Sequence, residues 1–152
     1  QDAKRDAQES RGLGDVYKRQ VEKNSQNAMI LAKHFERHNY VETVLYPGLE
    51  THPNHKIAKN QTNGQYGGML SIIIAGSEAD AINVVRNCKV FYPATSLGGV
   101  ESLIEHRKTV SGEDFPVNEK LIRISVGIED PLDLINDLEQ ALEKVFKKKG
   151  QD

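Results

Sequence analysis

Residues 121–128 restrict this chain more than any other stretch, because Ile122, Ile124, Val126 and Ile128 alternate with Arg123, Ser125 and Gly127. Successive side chains of a strand point to opposite faces, so the alternation puts an apolar row on one face and Arg123 on the other. Directly afterwards Asp130 suits an N-cap and Pro131 a first helical position, and Leu134, Ile135, Leu138, Ala141, Leu142 and Val145 recur with helical period. A one-faced strand followed by a one-striped helix buries both apolar surfaces only when the helix lies on the sheet.

The remaining pattern supplies the partners. Ala28, Leu31, Ala32 and Phe35 give residues 26–38 one apolar stripe, with Ser25 as N-cap. Residues 41–45 read as a strand broken by Tyr46-Pro47-Gly48, and a short helix is expected over 55–61. After the loop Asn63-Gly64-Gln65-Tyr66-Gly67-Gly68, the dense β-branching of residues 69–75 predicts a central strand buried on both faces. Ser77 and Asp80 have capping-box spacing, which predicts a helix running to about Asn87. Residues 89–91 and 102–106 are shorter strand candidates. Together these elements predict an α+β fold, a two-layer sandwich whose mainly antiparallel sheet of about four strands carries its helices on one side.

A chain of 152 residues has room for one core. Its net charge of -2, with both signs interspersed, argues against a nucleic-acid or membrane-surface partner. A lone cysteine, Cys88, forms no intrachain disulfide and suits a reducing cytoplasm, and no apolar run approaches the roughly 20 residues of a membrane span. Residues 1–20 lack usable periodicity, and Ser10 to Gln20 resembles the translation of a transposon-end sequencing adapter. They are expected to be a non-native or disordered leader, residues 21–147 the domain, and residues 148–152 a tail. Lys147-Lys148-Lys149 reads as the solvated end of the last helix.

Few residues invite chemistry on spacing alone. His52 and His55 could begin a metal site, but zinc needs about four ligands, so loop and cap roles are expected and no metal. The glycines between Gly64 and Gly68 precede a strand where a phosphate site would want a helix N-terminus, which favours a tight turn. Ser96-Leu97-Gly98-Gly99 could let a ligand approach the backbone closely. Arg123 could hold a carboxylate with its planar fork or make a structural salt bridge.

The ordered segments Tyr46-Pro47-Gly48-Leu49, His52-Pro53-Asn54-His55, Gly67-Gly68-Met69-Leu70-Ser71, Ser96-Leu97-Gly98-Gly99-Val100-Glu101-Ser102-Leu103-Ile104 and Leu121-Ile122-Arg123-Ile124-Ser125-Val126-Gly127-Ile128-Glu129-Asp130 resemble the C-terminal small domain of the Cys/Met-metabolism pyridoxal-phosphate enzymes. That family includes cystathionine gamma-synthase, cystathionine beta- and gamma-lyases and methionine gamma-lyase. The resemblance implies a fold-type I enzyme, a homotetramer of dimers acting on a sulfur amino acid or homoserine ester. Its cofactor, pyridoxal phosphate, would sit as a Schiff base on a lysine of a large domain absent from these residues, so no catalytic residue is expected here.

By the same resemblance Arg123 would grip the substrate α-carboxylate, and Ser96 would line the same pocket beside cofactor and substrate. Thr95 stands where several gamma-specific members carry glutamate, a position associated with reaction choice. His106-Arg107 replaces a His-Pro or Leu-Pro of many relatives, and no role is attached to that change. Two alternatives remain from the residues: a freestanding non-catalytic small-molecule-binding or regulatory module, and a structural dimerisation domain, in which Arg123 would pair with an internal acid.

Overall fold

The computed structural model describes residues 2–112 and 114–147, with side chains from residue 14 onward. Its elements in chain order are α1 (Asp2–Phe35), β1 (Val41–Leu45), α2 (His55–Thr62), β2 (Met69–Ile74), α3 (Glu78–Asn87), β3 (Tyr92–Pro93), β4 (Leu103–His106), α4 (Arg107–Ser111), β5 (Leu121–Ser125) and α5 (Pro131–Phe146). The α+β expectation holds. The sheet has five strands in the order β1-β2-β5-β4-β3, one more than expected, and the β3–β4 pair is parallel while the others are antiparallel.

Alternation in β5 does what the pattern demands. Ile122 and Ile124 enter the core beside Ile72, Ile74 and Ile104, under Leu31 and Phe35 of α1, Val84 of α3 and Leu134, Leu138 and Leu142 of α5. Burial of a large aliphatic side chain stabilises by about 1.5–3 kcal/mol, so this layer dominates the fold's favourable energy. Strand β2 departs from the expectation of burial on both faces: Leu70, Ile72 and Ile74 are buried, whereas Met69, Ser71 and Ile73 are half-covered. Its β-branching serves a two-faced strand in an antiparallel neighbourhood, where only one face meets helices.

The caps form as expected, with Ser77 and Asp80 making a reciprocal capping box and the Asp130 carboxylate accepting from Leu132 N–H. At the N-terminus the helix begins far earlier than Ser25, which is buried inside α1. A polar stripe continues the apolar one: Asn24 donates to Gly99 O, and Asn27 to the carbonyls of Gly127 and Glu129. The boundary expected near Val21 thus falls within α1, where Gln20 reaches Gly98 O at 2.9 Å. Lys147 caps α5 and pairs with Glu143, while the tail over 148–152 lies outside the described residues. Among the described residues no helix is long and apolar enough to cross a membrane.

One buried acid on the apolar side of α5 escaped the sequence pattern. Asp137 accepts from the backbone N–H groups of Lys89, Val90 and Phe91 at 2.8–3.0 Å, closing the turn after α3 onto α5. Asp137→Ala strands three amides away from water and is expected to cost about 3 kcal/mol, read as a fall in the chemical-denaturation midpoint. Beside it, burial and then the Asp137 carboxylate push the Cys88 thiol up to about 12. Its thiolate is therefore scarce at pH 8.5, and iodoacetamide is expected to label folded Cys88 at least about 100-fold more slowly than in urea. Equal rates in the two states would contradict that environment.

Candidate functional site

The sheet face opposite the helices carries a polar row. In register, Ser71 of β2 stands opposite Arg123 of β5, and Glu105 of β4 stands opposite Arg123 on its other side. Loop 94–102 reaches this row because β3 and β4 are joined without a helix between them. Gly98, at φ +73, takes the left-handed conformation that glycine adopts at little cost, and its N–H donates to Ser125 Oγ at 3.0 Å.

A second clamp holds the far end of the loop. Glu129 accepts from Ser102 N–H and from Ser102 Oγ–H, and Ser102 Oγ in turn accepts from Gly127 N–H at 2.8 Å. Gly127 is required there, since a Cβ would collide with the Val100 carbonyl and the Glu129 carboxylate. The Ile128 N–H donates to Val100 O at 2.9 Å and completes the tie.

Between the clamps, Arg123 Nη2 donates to the carbonyls of Thr95 and Ser96. Its Nε lies 3.0 Å from Glu105 Oε1, and Arg107 Nη1 donates to that same oxygen at 2.9 Å. Glu105 is only 4% exposed, and its Oε2 is buried without a hydrogen-bond partner. Two guanidinium groups against one carboxylate leave the cluster one positive charge in surplus. Arg123 Nη1 has no hydrogen-bond partner among the described residues, so a donor and a charge remain for an anion.

Sequence reasoning named Arg123, Ser96 and Thr95, and the structure brings the three together, with a difference in the groups used. Thr95 and Ser96 turn their carbonyls to Arg123 and expose their side chains. Thr95 also borders a cavity of about 270 Å³ lined by Ile82, Val85, Glu105 and His106. Glu105 and Arg107 were missed as site residues, because only the β4–β5 register places Glu105 against Arg123. An acid alternating with Ile104 and His106 in a strand candidate was the available signal.

The other candidates have local tasks. His55 lies 2.9 Å from Pro47 O through Nδ1 and stacks on Tyr66, and His52 Nδ1 accepts from Asn54 N–H. Gly64 and Gly67, both at positive φ, shape the turn before β2. His106 bridges α4 to the turn before β5, with Nδ1 against Thr109 and Nε2 against Glu119 O at 2.6 Å. Among the described residues no group of three or more His, Cys, Asp or Glu side chains could hold a metal ion.

The sequence profile of the family described as Cys/Met metabolism PLP-dependent enzyme matches residues 6–143. A cystathionine gamma-lyase of Dictyostelium discoideum is 43% identical over 142 residues, covering 88% of this chain and 36% of that protein. A cystathionine gamma-synthase of Mycobacterium bovis is 44% identical over 137 residues, covering 87% and 35%. The crystal structure of metB from Corynebacterium glutamicum superimposes with a TM-score of 0.75 at 39% identity, covering 83% of this chain and 34% of that one. The chain thus spans about a third of the length of the relatives it matches. By profile, by identity and by fold, it belongs to the Cys/Met-metabolism family of pyridoxal-phosphate-dependent enzymes.

Proposed function

We propose that these residues, with 21–147 as the domain proper, are the C-terminal part of a pyridoxal-phosphate-dependent carbon–sulfur lyase or gamma-replacement transferase, and that they supply its substrate-carboxylate wall. The observation that carries this reading is Arg123, held by the Glu105 carboxylate and two loop carbonyls, with Nη1 open and a surplus positive charge beside it. The donor set fits an α-carboxylate. It does not fit a whole cofactor pocket, for among the described residues the polar groups around Arg123 are Ser71, Thr95, Ser96, Glu105, Arg107 and Ser125, and covalent attachment of pyridoxal phosphate needs an amine.

The lysine is therefore assigned to a large domain outside these residues, and the 152-residue chain alone is inactive. When bound, the cofactor would withdraw electrons from the substrate Cα. This chain's part is orientation. Arg123 takes the carboxylate through Nη1, and fixing the carboxylate fixes the direction of the bonds at Cα. Ser96, whose carbonyl accepts from that arginine and whose hydroxyl is exposed, serves cofactor and substrate, while Thr95 puts no acid near the leaving group. The substrate class is a sulfur amino acid or homoserine ester, and the intact enzyme is a cytoplasmic homotetramer of dimers.

Arg123 is ion-paired to an internal acid, which is the arrangement a purely structural role requires. What separates the two readings is the surplus charge and the open Nη1. In the full-length polypeptide, Arg123→Ala is expected to raise KM for the amino-acid substrate roughly 100-fold, the loss of a charge-assisted bond of about 3 kcal/mol. Cofactor absorbance stays intact, and Arg123→Lys recovers only part of the loss because a point charge lacks the fork. An unchanged KM refutes the carboxylate role.

A further inference from the structure

We propose that Glu105 is a positioning residue for the carboxylate anchor: it holds the Nε edge of Arg123 so that Nη1 faces the ligand, with Arg107 as the counter-charge that lets a buried acid stand there. The inference rests on the carboxylate reading of Arg123 and extends it to a residue outside that reading.

The arrangement is costly. Glu105 is 4% exposed in a strand buried along its length, and one of its carboxylate oxygens is buried with nothing to accept from. Apolar side chains of similar volume commonly match or exceed the stability of a buried ion pair, and a half-satisfied one is worse. The fold has no need of this carboxylate, since the adjacent core is closed by Ile104 and Ile124 on the opposite face.

The arrangement is also directional. Glu105 and Arg123 are cross-strand partners, so the carboxylate meets the guanidinium from its own strand's side, while the Thr95 and Ser96 carbonyls meet it from the loop. Nε and Nη2 are thereby committed, and the remaining nitrogen is the one left for an anion. Arg107, a third exposed on its side chain, balances Glu105 through Nη1. Without it the carboxylate would cancel the arginine's charge, and the site would have no electrostatic preference for a carboxylate.

The 152-residue chain labelled with ¹⁵N can be titrated with L-2-aminobutyrate, an α-amino acid with no leaving group, following the Arg123 Nε–H signal. The wild-type chain is expected to show a saturable shift and Arg123→Ala none at the remaining sites. If wild type shows no such shift, or Arg123→Ala binds as well as wild type, the carboxylate reading falls and this proposal with it. With that reading intact, Glu105→Leu is expected to raise Kd at least tenfold and to move the free-state Nε–H signal. Glu105→Gln, which keeps an acceptor oxygen in place, is expected to stay within about threefold of wild type. Should the leucine variant lose its dispersed spectrum, Glu105→Asp decides, since it keeps the charge but withdraws the carboxylate by one methylene, and the same tenfold loss is expected. A wild-type Kd in the folded leucine or aspartate variant, or a glutamine variant as weak as leucine, overturns the proposal.

Discussion

Everything in this molecule turns on β5 having two different faces. Ile122 and Ile124 are fully buried against α1 and α5, and that commits the strand's position and rotation. Because side chains alternate, the same commitment aims Arg123 at the opposite face with no freedom to slip, since a shift of one residue would drive a guanidinium into the core. The apolar layer is thus also the device that orients the site.

The loop is placed by a different kind of interaction. Few apolar contacts hold it; Leu97 and Val100 are both exposed. Its position comes from polar ties at each end, Gly98 to Ser125 and Ser102 to Gly127 and Glu129, which all terminate on β5 or the residues just beyond it. Buried hydrogen bonds of this kind add modest net stability but impose a unique geometry, and here they set the loop carbonyls against Arg123. The core orients the arginine and the clamps bring the loop to it.

Much of this was legible in the sequence because it depends on periodicity and on local chemistry. The β5 alternation, the α5 stripe with Asp130 and Pro131, and the Ser77–Asp80 capping box each involve residues close along the chain. Missed features depend on register or on distant partners. The strand expected over 89–91 sits instead at Tyr92–Pro93, because the N–H groups of Lys89, Val90 and Phe91 are spent on Asp137 of a remote helix. Helix α4 was not foreseen, as five residues without a strong apolar stripe carry no period. The early start of α1 escaped because the residues ahead of Asn24 present no apolar face, none of residues 14–23 being buried. At the site, Ser96, Thr95 and Arg123 stood out through a family resemblance, whereas the Glu105–Arg123 pairing needed the sheet itself.

On this reading Arg123 faces its ligand through Nη1, the one guanidinium nitrogen left open among the described residues. A crystal structure of the full-length polypeptide with an unreactive amino-acid substrate analogue tests it most directly. The analogue's α-carboxylate is expected on Arg123 Nη1, with the Glu105 contact at Nε retained. A carboxylate bound elsewhere, with Arg123 still contacting only Glu105 and the loop carbonyls, would contradict it.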